Sequence, residues 1–309
     1  MLPTAARDRT QSPARVIGVK PTPRLPVDAH LSSDQHQLLI AASLGIELGL
    51  PTNGALAALD LNRPSPAPVV EREANAVRYV IANRRIALEG ATNFRDAGGR
   101  RGPHGSMVDW RTHYRSENLA GLTSDDWGIL EALGIDLIID LRHENESGLA
   151  PSKAPSGIAI VQIPIVGNLA GHVDATSALV NGLVDRIDDE AMQAMYLDLV
   201  SEHEQDLFAA FKLYRDHDRP VLIHCTAGKD RTGIVVALWQ LSQGVSTREV
   251  LEDYRLSSLY RTLPRYLTLR PDLVAAHVDP RNVHSYLSTQ NASLTAALNA
   301  LDLTGVTPH

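Results

Sequence analysis

The sequence predicts an α/β fold, a mostly parallel central sheet flanked by helices, carrying an N-terminal extension over residues 1–75. Two observations predict the fold. Short apolar runs at Ile135–Leu141 and Arg219–His224 read as buried strands, and each stands next to a stretch of helical spacing. Strands that alternate with helices in this way belong to parallel sheets with helices packed on them. A third observation predicts the extension: nine of the 18 prolines, at 3, 13, 21, 23, 26, 51, 64, 66 and 68, fall in the first 70 residues. Proline removes a backbone donor and blocks helix interiors, so residues 1–27 and 62–68 read as extended or linker-like. Between them Ser33 and Asp34 precede Leu38, Leu39, Ala42 and Leu44, the pattern of one short capped helix.

The main domain is expected over 76–309. Arg85–Glu89 reads as a strand leading into Asn93-Phe94-Arg95-Asp96-Ala97-Gly98-Gly99, whose glycines and short polar residues suggest a tight turn. His113–Ser116 reads as a short strand. Thr123–Leu133 has helical spacing, opens on cap candidates and stops at Gly134, a suitable residue just past a helix end. Ile135–Leu141 and Ile158–Ile165 read as buried strands. Asp189–Glu202 and Asp206–His217 read as two helices, Arg219–His224 as a strand, and Thr232–Gln243 and Ser246–Leu259 as helices. The remainder to Leu301 reads as helix interrupted at Pro264, Pro271 and Pro280.

Composition narrows the function. Of 309 residues, 44% are hydrophobic and 21% charged, ordinary for a globular chain. The apolar runs fall far short of the roughly 18 residues a membrane span requires. A net charge of −7 argues against a nucleic-acid partner, which usually meets a basic stripe. Arg7, Arg9, Arg15, Lys20 and Arg24 near the start are followed by no apolar signal core, so a cytoplasmic location is expected. One cysteine excludes an internal disulfide and any zinc site built from several thiolates. The histidines form no His-x₃-His or His-Glu-x-x-His pattern, so neither metal nor cofactor is expected.

That lone thiol stands in Val221-Leu-Ile-His-Cys225-Thr-Ala-Gly-Lys-Asp-Arg231-Thr-Gly-Ile, where a strand runs into a loop and a helix follows. Such a junction aims backbone N–H groups and the positive end of a helix dipole at one point, where an oxyanion is stabilised. A cysteine there has its thiolate favoured. Arg231 offers a planar fork that fits two phosphate oxygens, and Gly228 permits close backbone approach. Thr232 is placed to donate to the sulfur as it leaves. His224, immediately before the nucleophile, is expected to hydrogen-bond to backbone and tune Cys225. Together these parts describe a nucleophile that attacks phosphorus through a cysteinyl-phosphate.

His224-Cys-Thr-Ala-Gly-Lys-Asp-Arg-Thr-Gly233 resembles the signature loop of the protein-tyrosine phosphatase superfamily, and its Lys-Asp-Arg form resembles the bacterial tyrosine and lipid phosphatase branch, the triple-specificity type. Asn93-Phe94-Arg95-Asp96 with Gly98-Gly99, Tyr114-Arg115-Ser116, Asp140-Leu141-Arg142 with Glu144, and Asp253-Tyr254-Arg255-Leu256-Ser257 fit the same branch. The resemblance implies a protein-tyrosine-phosphatase-like fold, with Cys225 as nucleophile and Arg231 as phosphate ligand. Thr226, Ala227, Gly228, Lys229 and Thr232 would complete the phosphate site, with Lys229 offering a second cation to it.

The general acid is less determined. The loop that can supply one in this branch reads Pro164-Ile-Val-Gly-Asn168 here, without an acid. Asp230 is preferred because it adjoins Arg231; Asp174 and the Asp185–Asp189 cluster are rivals, although Asp188 and Asp189 also read as a helix cap. Asp140 and Arg142, at a strand's carboxyl end, could face the site or pair with each other to order the loop. For Arg95, Asp96 and Arg115 structural pairing is expected rather than substrate contact. The expected activity is hydrolysis of a phosphomonoester on a protein, a phosphoinositide or a small metabolite. A phosphate-recognising module without turnover is the alternative.

Overall fold

The computed structural model describes residues 84–167, 169, 175–304 and 306, so the extension over 1–75 and its short helix lie outside the described residues. Five strands form one sheet in the order β1 (Arg95–Asp96), β2 (His113–Ser116), β5 (Val221–His224), β3 (Leu137–Asp140) and β4 (Ala159–Gln162). Only β1 runs antiparallel to its neighbour; β2, β5, β3 and β4 are mutually parallel. The expected α/β architecture with a mostly parallel sheet is therefore the one present.

Side-chain alternation splits the central strands between two cores. Leu137, Ile139, Val221 and Ile223 face one core with helices α4 (Asp189–Asp216), α5 (Asp230–Ser242), α6 (Thr247–Ala275) and α8 (Asn291–Ala300). Ile138, Leu222 and Tyr114 face the other, against Trp127 and Leu130 of α1 (Ser124–Ala132). A period of two puts neighbours on opposite faces, and full burial of each such aliphatic side chain contributes about 1.5–3 kcal/mol. Residues Thr232–Gln240 of α5 are all buried, as befits a helix enclosed on every side.

Several local signals act as the sequence suggests. Thr123 caps α1 by accepting from the Asp126 N–H, and the Asp126 carboxylate reaches back to the Thr123 N–H. Gly134 ends that helix region at φ +75°, a conformation glycine adopts without steric cost. Asp188 caps α4 through the Ala191 N–H at 3.0 Å, which accounts for that member of the acidic cluster.

Elsewhere tertiary contacts override local expectation. The strand expected at Arg85–Glu89 is reduced to one antiparallel bridge between Arg85 and Arg95, because the Glu89 and Gly90 N–H groups donate to the Asp126 carboxylate at 2.7 and 2.8 Å. The strand expected to be buried at Ile158–Ile165 forms as β4, but all four of its residues are exposed: it is an edge strand. The two helices expected at Asp189–Glu202 and Asp206–His217 are both present and run end to end as α4, with a kink between them at His203, whose backbone departs from helical values. His203 also accepts from the Val166 N–H at 3.3 Å and contacts Asp206 at 3.1 Å. Helix α6 runs through Pro264 and Pro271 rather than stopping. Each proline there forfeits a helical hydrogen bond, and burial of Leu263, Tyr266, Leu269 and Leu273 offsets the loss. A short helix, α7 (His284–Leu287), follows the turn after Pro280.

The arrangement places the carboxyl ends of β2, β5 and β3 side by side. In a parallel sheet that end is where loops converge on ligands. His224, the last residue of β5, lies between Ser116 of β2 and Asp140 of β3.

Candidate active site

The loop from Cys225 to Lys229 joins β5 to α5, and its shape is set from behind. The Thr226 carbonyl accepts from the Asn118 N–H at 3.2 Å, the Ala227 carbonyl from Asn93 Nδ2 at 3.1 Å, and the Gly228 carbonyl from Arg115 Nη2 at 2.8 Å. In a trans peptide unit the N–H points opposite the carbonyl. Three carbonyls held outward therefore turn the N–H groups of Ala227, Gly228 and Lys229 inward. The Gly228 N–H indeed donates to Cys225 Sγ at 3.2 Å.

Gly228 is required twice over. It sits at φ +63°, and a Cβ there would lie 2.2 Å from the Ser116 carbonyl oxygen. The close approach foreseen at this glycine is thus to the end of β2. Helix α5 begins at Asp230, two residues before the expected Thr232, and Lys229 at its start supplies no side-chain cap. Its first-turn N–H groups face the same loop.

Arg231 lies on the first turn of α5 and meets Glu146 of α2 (Glu144–Leu149) in a bidentate pair, Nη1–Oε2 2.6 Å and Nη2–Oε1 2.7 Å. Nη1 also donates to the Ile165 carbonyl at 3.0 Å, and the Thr226 hydroxyl donates to Glu146. Burial alone would raise the Glu146 pKa, yet the Arg231 contact lowers it to about 2, and Glu146 in turn holds Arg231 charged. The partner of Arg231 is thus Glu146 and not Glu144, the acid that the resemblance groups with Asp140 and Arg142. Glu146 is the third residue of α2, in a capping box with His143, and that spacing was the signal available.

Glu146→Gln should lower kcat/KM for an aryl phosphate by about 10²-fold, the scale of misplacing a reacting group by an ångström. It should also flatten part of the acid stability profile. A carboxylate whose pKa is depressed on folding contributes fully above its ordinary value, near about 4.3, and loses that contribution as pH falls towards about 2. Thermal melts of both proteins across that window test the second effect.

Asp140 and Arg142 pair with each other at 2.7 Å, and Arg142 donates to the Ala150 carbonyl at 2.7 Å and to Ser152 Oγ at 3.1 Å. The pair thereby braces the segment that carries Glu146. His224 is fully buried, with Nδ1 3.2 Å from the Cys225 carbonyl and Nε2 3.7 Å from Asp140. Burial lowers its pKa to about 4 against the raising effect of Asp140, so the imidazole is neutral at pH 7.

Behind the loop stands Asp253 of α6, buried among four guanidinium groups. Arg115 Nη1 is 2.8 Å from it, Arg100 3.5 Å, Arg95 3.6 Å and Arg84 4.0 Å. Arg95 also donates to Asn93 Oδ1, which fixes the Asn93 amide with its NH₂ towards Ala227. Asp96 accepts from the Gly98 and Arg111 N–H groups at 2.8 and 2.6 Å and so bends the chain within the 93–99 stretch expected as a tight turn, of which Arg95 and Asp96 form β1 instead. The structural pairing expected for Arg95, Asp96 and Arg115 is present, and it reaches the loop: Arg115 bonds the Gly228 carbonyl directly, and Arg95 acts on the loop through Asn93.

Lys229 is buried, its ammonium donating to the Tyr286 and Ser288 carbonyls at 2.5 and 2.9 Å and standing 3.5 Å from Asp230 Oδ1. It thus engages α7 and the residue that follows. Asp230 accepts from the Tyr196 hydroxyl at 2.8 Å. Thr232 Oγ1 is buried without a partner among the described residues. Asp174 lies outside the described residues, as does Asn168. Among the described residues no group of three or more His, Cys, Asp and Glu could hold a metal ion.

The sequence model of the tyrosine phosphatase family matches residues 86–305. A Cupriavidus necator protein that carries a provisional tyrosine-protein phosphatase name is 29% identical over 239 residues, covering 76% of this chain and 85% of that protein. The triple specificity protein phosphatase of Mycobacterium tuberculosis is 28% identical over 198 residues, covering 55% of this chain and 68% of that protein. The solved structure of TpbA from P. aeruginosa aligns at 15% identity with a TM-score of 0.29, covering 65% of this chain and 86% of that one.

Proposed function

The chain belongs to the tyrosine phosphatase family and is a phosphoric monoester hydrolase, and from that premise we propose that it works through a cysteinyl-phosphate on Cys225. The observation that carries the reading is the juxtaposition, at the junction of β5 and α5, of Cys225, a loop N–H turned to its sulfur, and Arg231 on the first helical turn. The Cys225 thiolate attacks phosphorus in line and forms the S–P bond as the P–O bond to the leaving group breaks. Arg231 and the loop N–H groups hold the phosphoryl oxygens, where charge changes most. Asp230 gives its proton to the leaving oxygen. Water then attacks phosphorus, Asp230 takes a proton from that water, and the P–S bond breaks to return the thiolate and free inorganic phosphate.

The substrate is a phosphomonoester of a tyrosine-containing protein, a phosphoinositide or a small metabolite. The triple-specificity name of the M. tuberculosis relative supports keeping more than one class. Among the described residues no helix is long and apolar enough to cross a membrane. A reducing, cytoplasmic site of action suits a nucleophilic thiol that must stay unoxidised.

The direct test is vanadate-sensitive hydrolysis of an aryl phosphate, followed by a panel of phosphopeptides, inositol lipids and sugar or nucleotide phosphates. Binding of phosphate without hydrolysis would instead make the protein a recognition module. Asp230→Asn should slow esters with poor leaving groups by about 10²-fold or more and good ones much less, the pattern of a lost general acid. An unchanged leaving-group dependence would assign the acid elsewhere.

A further inference from the structure

We propose that Tyr196 is a positioning residue for Asp230, the end of a hydrogen-bond chain that runs one way from the Gln290 backbone through Tyr254 and Tyr196 to the carboxylate. The proposal rests on the reading of Asp230 as the proton-transfer group. Tyr196 of α4 and Tyr254 of α6 are both buried, and their hydroxyl oxygens are 2.6 Å apart. Tyr196 stands 2.8 Å from Asp230 Oδ1, and the Gln290 N–H donates to the Tyr254 oxygen at 3.3 Å.

Chemistry at the two ends sets the direction. An ionised carboxylate only accepts, so the single Tyr196 proton goes to Asp230. The Tyr254 proton must then go to the Tyr196 oxygen, and the remaining Tyr254 lone pair takes the Gln290 N–H. Hydrogen bonds aligned head to tail polarise one another. Burial, followed for each by the charge of Asp230, keeps both phenols well above their ordinary pKa, so the chain stays protonated.

Three helices thus meet on one carboxyl group: α4 brings Tyr196, α6 brings Tyr254, and α5 brings Asp230 itself. The other charged or titratable groups around Asp230 are Lys229, 3.5 Å from the same Oδ1, with Arg231 and Cys225 on the loop side. Tyr196 and Lys229 both converge on Oδ1. That assigns the exchanging proton to Oδ2, the oxygen that neither of these two groups engages.

The sign of the effect follows. A hydrogen-bond donor to an ionised carboxylate favours the ionised form. Tyr196→Phe removes the donor, so Asp230 should stay protonated to higher pH. The basic limb of the kcat/KM profile for an ester with a poor leaving group should then move up by about one pH unit, the size expected for one hydrogen bond to a charged group. Turnover should fall several-fold with little change in KM. Tyr254→Phe should move the limb in the same direction by less, and it serves as the second variant if Tyr196→Phe does not fold.

Asp230→Asn separates the two claims. Loss of the limb in Asp230→Asn, with an unmoved limb in folded Tyr196→Phe and Tyr254→Phe, overturns the chain and leaves the acid in place. A limb that survives in Asp230→Asn overturns the reading of the acid and, with it, the catalytic role of Tyr196. Following the Asp230 carboxyl by NMR titration then asks of the chain alone whether Tyr196→Phe raises its midpoint; no rise refutes the chain.

Discussion

Replacing Cys225 with serine is expected to lower turnover of an aryl phosphate by about 10⁴-fold or more, the scale of losing a nucleophile that no neighbour can replace. Cys225 is the only thiol in the chain. A serine hydroxyl there would need a strong general base, and the adjacent His224 is buried with Nδ1 committed to the Cys225 carbonyl. Binding should survive. The carbonyls of Thr226, Ala227 and Gly228 are held by Asn118, Asn93 and Arg115, none of which depends on the sulfur. Calorimetry with inorganic phosphate or vanadate, alongside initial rates, checks both halves. Full activity in Cys225→Ser would sink the covalent route.

The second large effect is expected at Asp253, behind the loop and one arginine away from it. Asp253→Ala should destabilise the fold by about 3–5 kcal/mol, as removing one side of a buried charge network does. At roughly 2–4 °C per kcal/mol, the melting temperature should fall by about 6–20 °C. Burial pulls the Arg84 and Arg95 guanidinium groups down, with other arginines adding to it, and Asp253 is a principal opposing charge. Without it Arg84, Arg95, Arg100 and Arg115 would repel one another at low dielectric.

The same change should reach the loop, since Arg115 bonds Gly228 directly and Arg95 holds Asn93. Phosphate affinity should therefore fall along with stability. Asp253→Asn, which keeps the shape and loses the charge, should do nearly as much harm. Burial opposes ionisation of Asp253, but Arg95 and Arg115 hold its pKa well below the carboxylate range. Its contribution is thus intact at neutral pH and is lost only as acid carries the protein below the ordinary aspartate value. A melting temperature unchanged in Asp253→Ala would show that the cluster is dispensable.

Signals confined to a few neighbouring residues were legible in the sequence. The cap and stop of α1 at Thr123 and Gly134 depend on spacing within one helix. The apolar runs of β3 and β5 are short, unbroken and bounded by turn residues. The loop from Cys225 to Arg231 carries its chemistry in consecutive positions. Where reading failed, a distant partner had changed the outcome. Asp126 took the Glu89 and Gly90 amides at the end of the 85–89 stretch, packing carried α6 through two prolines, and β4 is exposed because it has a neighbour on only one side.

At the site the same division holds. The identity of the thiol, the arginine and the glycine that must stand between them follows from the sequence alone, because strand, loop and helix are contiguous there. Which groups aim them does not. Asn93, Asn118 and Glu146 lie 80 to 135 positions from the residues they bond there, and Asp253 lies 25 positions after Gly228. The parallel sheet brings three strand ends together, and α6 closes over them. Hydrogen bonds and ion pairs act over about 3 Å, so only the folded chain decides which carboxylate holds Arg231 and which side chains turn the loop's N–H groups inward.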